Sequence, residues 1–426
     1  MTAIGFPAAL VAALLPMARV YAEAVIACVI VGMIVDAVMS RRVLVGLRIE
    51  LPELARFFKD RDGQILVRVL NPSNAARSLH VGIAAPDGIE SAFEEQRVDL
   101  PGGAGTAEFA WRCTPRQRGR YRLQECSLGA PSPLGMWEVR RREPVACEIR
   151  VYPNLRRDDD LKALRRSGSG QHMMRQVGRG REFEKLREYA PGDGFDELHW
   201  KASARRGRPI TKVFQVERTQ EVYVIIDTSR LSGRWFGDDT ALERALSASL
   251  LIGAAAQRRG DLFGLAAFAS QVEAFARARN GKAHYAACRD AIYQLHSRAV
   301  SPDFDEIATF LRIRLQRRAL LLFLTSLDDP VIAENFTRAM RLLSRRHLVL
   351  AAMLRPASAQ PLFHDPAVES SADIYRQLAG HLSWRRLQEL ESALSREGVR
   401  LSLLEPAHFG SALAGLYDEV KQRQLL

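Results

Sequence analysis

"EVYVIIDTS", Glu221–Ser229, is an unbroken apolar run closed by an acid and two hydroxyls. A strand with one wet face alternates polar and apolar residues. The uninterrupted run Val222–Ile226 therefore predicts a strand buried on both faces of a parallel sheet. Downstream, "TALERALSASLLIGAAAQRRG" opens with Thr240 and Glu243 at capping-box spacing. It repeats Leu242, Leu246, Leu250 and Gly253 at helical intervals and stops at Gly260. The strand "DLFGLAAFA" comes next, followed by the helix "PDFDEIATFLRIRLQ", the strand "ALLLFLTS", the helix "VIAENFTRAMRLLSR" and the strand "HLVLAAML". A helix near Ala372–Glu397, the strand "VRLSLL" and a last helix near Phe409–Gln424 complete the pattern. Strand–helix alternation of this kind predicts a doubly wound α/β domain over residues 219–426.

Strand ends of such sheets present ligands. Asp227 and Ser229, two residues apart, point the same way and offer a carboxylate and a hydroxyl, the hard oxygens that Mg²⁺ takes. The same residues serve equally to cap the turn that follows, Asp227 through its carboxylate and Ser229 through a backbone hydrogen bond. No G-x-x-x-x-G-K-[ST], no strand-to-helix G-x-G-x-x-G, no G-x-S-x-G and no H-E-x-x-H occurs, which argues against nucleotide, dinucleotide, α/β-hydrolase and zinc-protease chemistry.

Upstream, residues 43–155 read as several short strands, "QILVRVLN", "SLHVGIAAPDG", "TAEFAWRC", "GRYRLQECSLG", "GMWEVRR" and "CEIRVYP", punctuated by Gly and Pro. That predicts a small antiparallel β-sandwich. Residues 156–218 form a linker, "RRDDDLKALRRSGSGQ", and then "GREFEKLREYAPGDGFDELHWKASARRGRP", Gly180–Pro209. In the latter, "EFEKLREYAPGD" reads as a short amphipathic turn, with Tyr189 and Trp200 expected at least partly buried as anchors.

Residues 1–42 are the apolar end of the chain. "AIGFPAALVAALLPMA" and, after "RVYAE", "AVIACVIVGMIVDAVMS" precede Arg41-Arg42. Each run is near the lower limit of the ~17–25 apolar residues that cross a bilayer. They predict a transmembrane anchor, either a two-helix hairpin or one span over about Val20–Ser40. Arg41, Arg42 and Arg48 then face the cytoplasm and its anionic lipids. Asp36 lies close enough to the end of the run to reach the interface.

The formal charge of +12 is spread along the chain in pairs such as Arg258-Arg259 and Arg345-Arg346. It shows no aromatic interleaving, so nucleic acid is not expected as a partner. The five cysteines, Cys28, Cys113, Cys126, Cys147 and Cys288, contain no C-x-x-C and read as buried small hydrophobes in a reducing compartment.

"GREFEKLREYAPGDGFDELHWKASAR", "VYVIIDTSR", "GLAAF", "RGRY" at Arg118–Tyr121 and "SPLGMW" at Ser132–Trp137 together resemble the domain of unknown function 58 family. The C-terminal half of that family is similar to a von Willebrand factor type A domain. The resemblance implies a membrane-anchored protein of the bacterial-type inner membrane, cytoplasmic in bulk. Its implied partner is a MoxR-type AAA+ ATPase, in a maturation or envelope-stress assembly. It also implies a metal site, a D-x-S-x-S strand end completed by a downstream Thr and Asp. Asp227 and Ser229 match the first two places, but the third falls on Leu231, with Ser232 one residue late. Downstream, Ser326 stands where the family places an acid, Asp328 follows it, and only Ser301 or Asp303 stand in for the threonine. With ligands lost, the cofactor expectation is none, or Mg²⁺ at Asp227 and Ser229 with Ser232 and Asp328. Asp196-Glu197 also replace a basic residue before "HW", and Ser132 replaces an acid.

These features give a first reading as a non-catalytic adaptor that docks the ATPase. A second reading is an enzyme using His199 as base or acid with Glu182, Glu188 or Asp193. A third is a basic lipid- or nucleic-acid-binding protein.

Overall fold

The computed structural model describes residues 19–71, 77–100, 105–154, 177–190, 198–215, 220–362 and 370–423. The chain divides into two compact units, Met1–Asn154 and Leu155–Leu426.

Unit one opens with helix α1 (Arg19–Ser40). Within it, Glu23–Ser40 has a mean hydropathy of 2.1, and among the described residues it is the one helix long and apolar enough to cross a bilayer. The first apolar run, residues 3–18, lies outside the described residues, so the choice between hairpin and single span does too. Nine strands follow: β1 (Arg48–Glu50), β2 (Leu54–Phe58), β3 (Gly63–Leu70), β4 (Arg77–Ile83), β5 (Ile89–Ser91), β6 (Glu95–Leu100), β7 (Thr106–Pro115), β8 (Gly119–Pro131) and β9 (Glu138–Tyr152). They form two sheets, β1-β3-β7-β5 and β2-β9-β8-β4-β6. Alternate residues, such as Ile65, Val67 and Val69 of one sheet and Cys147, Ile149 and Val151 of the other, meet in one core.

The sandwich departs from the sequence reading in two ways. It is not wholly antiparallel, because β2 pairs parallel with the end of β9. "GMWEVRR" and "CEIRVYP" are not separate strands but one strand, β9, in which Pro144 is accommodated beside a register shift opposite Leu123 and Glu125. Gly135–Trp137 falls outside it, in the β8–β9 turn. Cys113 and Cys126 lie in the core, where burial pushes their thiols up to about 11. Cys28, by contrast, is exposed on α1.

Unit two begins with β10 (Val177–Glu188), helix α2 (Trp200–Arg206) and β11 (Ile210–Gln215). Here "EFEKLREY" is strand rather than amphipathic turn: Phe183, Leu186 and Glu188 pair with Phe214, Lys212 and Ile210 of β11. The rest of the unit is β12 (Glu221–Asp227), the short hairpin β13 (Trp235–Phe236) and β14 (Asp239–Thr240), α3 (Ala241–Arg258), β15 (Leu262–Phe268), β16 (Val272–Arg279), α4 (Lys282–Ile292), α5 (Phe304–Arg314), β17 (Ala319–Leu324), α6 (Pro330–Ser344), β18 (Leu348–Leu354), α7 (Ser371–Arg396), β19 (Val399–Leu404) and α8 (Phe409–Gln422). The six-stranded sheet runs β16-β15-β12-β17-β18-β19, parallel except for the edge strand β16. Val222, Val224 and Ile226 pack under α3, α4 and α8, while Tyr223 and Ile225 face α5, α6 and α7. Helices therefore cover both faces, which is why β12 tolerates no polar residue inside it.

Candidate functional site

The chain leaves β12 to one side, into β15, and later returns to the other side as β17. The carboxyl ends of β12 and β17 thus flank the point where the strand order reverses, the place where open α/β sheets bind ligands. Asp227 closes β12, and the register Ile226↔Leu324 brings Thr325 alongside it. A cavity of about 20 Å³ opens there, lined in part by Asp227, Ser232, Thr325, Ser326 and Phe409. That volume holds about one water.

Asp227 is 2% exposed and both its oxygens are occupied. Oδ1 accepts the Ser229 backbone N–H at 2.8 Å, and Oδ2 accepts the Thr325 hydroxyl at 2.6 Å. Burial pushes the Asp227 carboxyl above its ordinary range, and the bonds from Thr325 and Ser229 only partly oppose this. The Ser229 hydroxyl is buried without a partner. Ser232 donates its hydroxyl to the Ser229 carbonyl at 2.7 Å, and Leu231 is packed into the core beside α5 and α6. Asp328 forms an ion pair with Arg234.

Mg²⁺ needs near-octahedral oxygen coordination and keeps several waters. Here one carboxylate is fully engaged within the protein, the other is neutralised by arginine, and the space admits about one water. The residues present do not fit such an ion. Among the described residues, the Ser229 hydroxyl and the Asp328 Oδ1 oxygen are the groups of that pattern left buried without a hydrogen-bond partner.

Of the sequence candidates, the structure brings Asp227, Ser229 and Ser232 together at the strand end and draws Asp328 aside to Arg234. Asp303 is spent on capping α5, where it accepts from the Glu306 N–H at 2.9 Å, and Ser301 is exposed. Thr325 is the residue that sequence reading misses. Aligning the ends of the two apolar runs, "VYVIID" and "LLLFLT", is the signal that finds it, because parallel neighbours of equal length end level.

The other candidate cluster does not converge among the described residues. His199 caps α2, its Nδ1 accepting the Ala202 N–H at 3.1 Å. Glu188 pairs with Arg208. Asp193 lies outside the described residues, as does the Glu182 side chain. Tyr189 is half-buried, but Trp200 is 70% exposed, so the expected anchor is corrected. Trp200 opens a seven-residue helix with no buried residue, and Leu198 and Ile210 take the buried places instead. Leu198 bridges Thr211, two residues before the tryptophan.

No curated protein matches the chain at a significant level. Among the solved structures that match are two that each align over 25% of this chain. One is the YadV chaperone, at 12% identity, TM-score 0.17 and 51% of its own length. The other is a protein of unknown function from Porphyromonas gingivalis W83, at 15% identity, TM-score 0.18 and 47% of its length. The chain thus spans about half the length of these two structures, and at these TM-scores neither bears on its fold. Residues 185–369, from β10 through Asp227 and Thr325 to beyond β18, match the family described as "Protein of unknown function DUF58", and over that stretch the chain is similar to that family.

Proposed function

We propose that the protein is a membrane-anchored, non-catalytic adaptor. In this reading unit two is a von Willebrand factor type A-like domain, and the loops at the carboxyl ends of β12 and β17 dock a MoxR-type AAA+ ATPase. The anchor is α1 in a bacterial-type inner membrane, the bulk of the chain is cytoplasmic, and the assembly serves maturation or envelope stress. The observation that carries the reading is the contrast at the switch point. Its buried carboxylate is consumed internally, while the β13–β14 hairpin that follows holds out Trp235, 70% exposed, next to the Arg234–Asp328 ion pair. An aromatic anchor rimmed by charge is what protein–protein hot spots use.

The test is affinity purification of the full chain from detergent-solubilised membranes with a slowly hydrolysed ATP analogue. A AAA+ ATPase should be retained, and Trp235→Ala should cut its recovery by about tenfold or more. Recovery of no such ATPase, or equal recovery with Trp235→Ala, overturns the proposal.

A further inference from the structure

Asp36, an acid inside an apolar helix, is fully buried. What buries it is the β8–β9 turn, Ser132–Trp137. Asp36 Oδ2 accepts the Ser132 hydroxyl at 2.5 Å and the Met136 N–H at 3.2 Å, and Oδ1 accepts the Leu134 N–H at 3.0 Å. The Ser132 hydroxyl in turn accepts the Trp137 N–H at 2.9 Å, and Gly135, at φ 72°, lets the turn close. Trp137 then donates its ring N–H to the Met33 carbonyl at 3.3 Å, and Met136 lies over Gly32. The turn is therefore clamped along the last two turns of α1. Arg141 adds a second clamp at the helix exit, donating to the Leu44 and Leu47 carbonyls at 2.9 and 2.7 Å.

Two large apolar side chains of this turn stay substantially exposed despite the clamp. Leu134 is 55% and Trp137 44% exposed, beside a helix that also exposes Val31, Ile34, Val35 and Val38. Tryptophan and leucine next to the end of a membrane-length helix occupy the headgroup–acyl boundary, where an indole keeps one polar bond and an apolar body. Exposed Arg41 and Arg42 follow directly.

We infer that Ser132–Trp137 is a membrane foot: a sandwich loop that sits in the same leaflet as the exit of α1, with Leu134 and Trp137 in lipid. Asp36 acts as its latch. The inference rests on α1 being a membrane anchor, as proposed above, and the ligand is the bilayer itself.

The test uses full-length protein in vesicles of phosphatidylethanolamine and phosphatidylglycerol. An environment-sensitive dye is placed at one of two cysteines. The first is native Cys28, exposed on α1; the other four cysteines are buried and do not label. The second is Leu134→Cys in a Cys28→Ser background. Nitroxides near the headgroup or deep on the acyl chain then quench from the lipid side, and iodide quenches from water. Cys28 lies eight residues before Asp36, about 12 Å deeper along the helix. The expected result is deep-nitroxide quenching at Cys28 and shallow-nitroxide quenching at position 134, with iodide at least threefold less effective there than on free dye. Adding Asp36→Ala, which removes both acceptor oxygens, should abolish the shallow quenching at 134 and leave Cys28 unchanged. Quenching at Cys28 with position 134 open to iodide overturns the foot and spares the anchor. No lipid quenching at either site overturns both.

Discussion

Asp36 and Asp227 are two buried carboxylates held in the same manner in different units. Each takes its bonds from a hydroxyl and from backbone N–H groups, and neither has a cation among its described partners. A third, Asp261, shows the alternative: it accepts from the Lys421 ammonium at 2.5 Å and from Tyr417. Asp36 has three neutral donors and fastens a helix to a loop a hundred residues away. Asp227 has two, one of them from its own turn, and fastens neighbouring strands. The number of donors drawn from distant chain segments, more than burial itself, sets how much structure depends on each carboxylate. In both, the carboxylate oxygens are already engaged by donors of the protein itself, so both sites read as joints.

The strongest way to break the comparison is Asp36→Ala. It leaves the Ser132 hydroxyl and two N–H groups without their acceptor, at a cost of about 1–3 kcal/mol for each buried orphan. The expected outcome is a loss of about 3 kcal/mol or more in the stability of the β8–β9 turn, read as faster amide hydrogen exchange at Leu134 and Met136. Exchange at wild-type rates would show that the latch holds nothing.

A smaller effect separates the two joints by pH. Because the folded-state carboxyl of Asp227 is raised by burial, the folded protein keeps its proton at pH values where the unfolded chain has already lost it. Stability from this group therefore falls as pH rises from about 3.8 to the folded-state value. Asp227→Asn cannot ionise and should lack that decline. In urea unfolding, the wild-type midpoint should drop relative to Asp227→Asn as pH rises above about 4. Parallel curves would mean that burial does not govern this carboxyl.

The smallest effect belongs to Trp200→Ala, which should change the unfolding free energy by less than about 0.5 kcal/mol, since its side chain is 70% exposed and the helix cap is made by His199, not by the indole. A loss above about 1 kcal/mol would restore a structural role for the indole.

Much of unit two is legible in the sequence because its strands are buried on both faces. Val222–Ile226, Ala319–Leu324 and Val349–Leu354 are continuous apolar runs, and helices of ordinary amphipathic pattern separate them. β16 and α4 escape that reading. β16 is an edge strand whose residues are mostly half-buried, so "VEAFARAR" has neither a clean alternation nor an apolar run. The strand character of "EFEKLREY" is hidden too, because it comes from pairing with β11, over twenty residues away, and not from local preference. At the candidate site Asp227 stands out at the end of its strand. Thr325 does not, because its part depends on the register between two strands. Asp36 is visible as an acid in an apolar helix, but its partners Ser132, Leu134 and Met136 lie about a hundred residues away, and sequence reading assigns the last of them to a strand.

The position of β12 also bears on how the chain is made. Of the six strands in its sheet it is the first to be synthesised, yet it ends between β15 and β17. At roughly 5–20 residues per second, β17 leaves the ribosome on the order of ten seconds after β12. For that interval one edge of an uncharged, β-prone segment stands bare, the kind of template that recruits other chains. Glu221 and Asp227 bracket it, one charge at each end. Besides joining the finished strands, Asp227 thus stands at a position where a charge flanking an apolar run opposes mispairing.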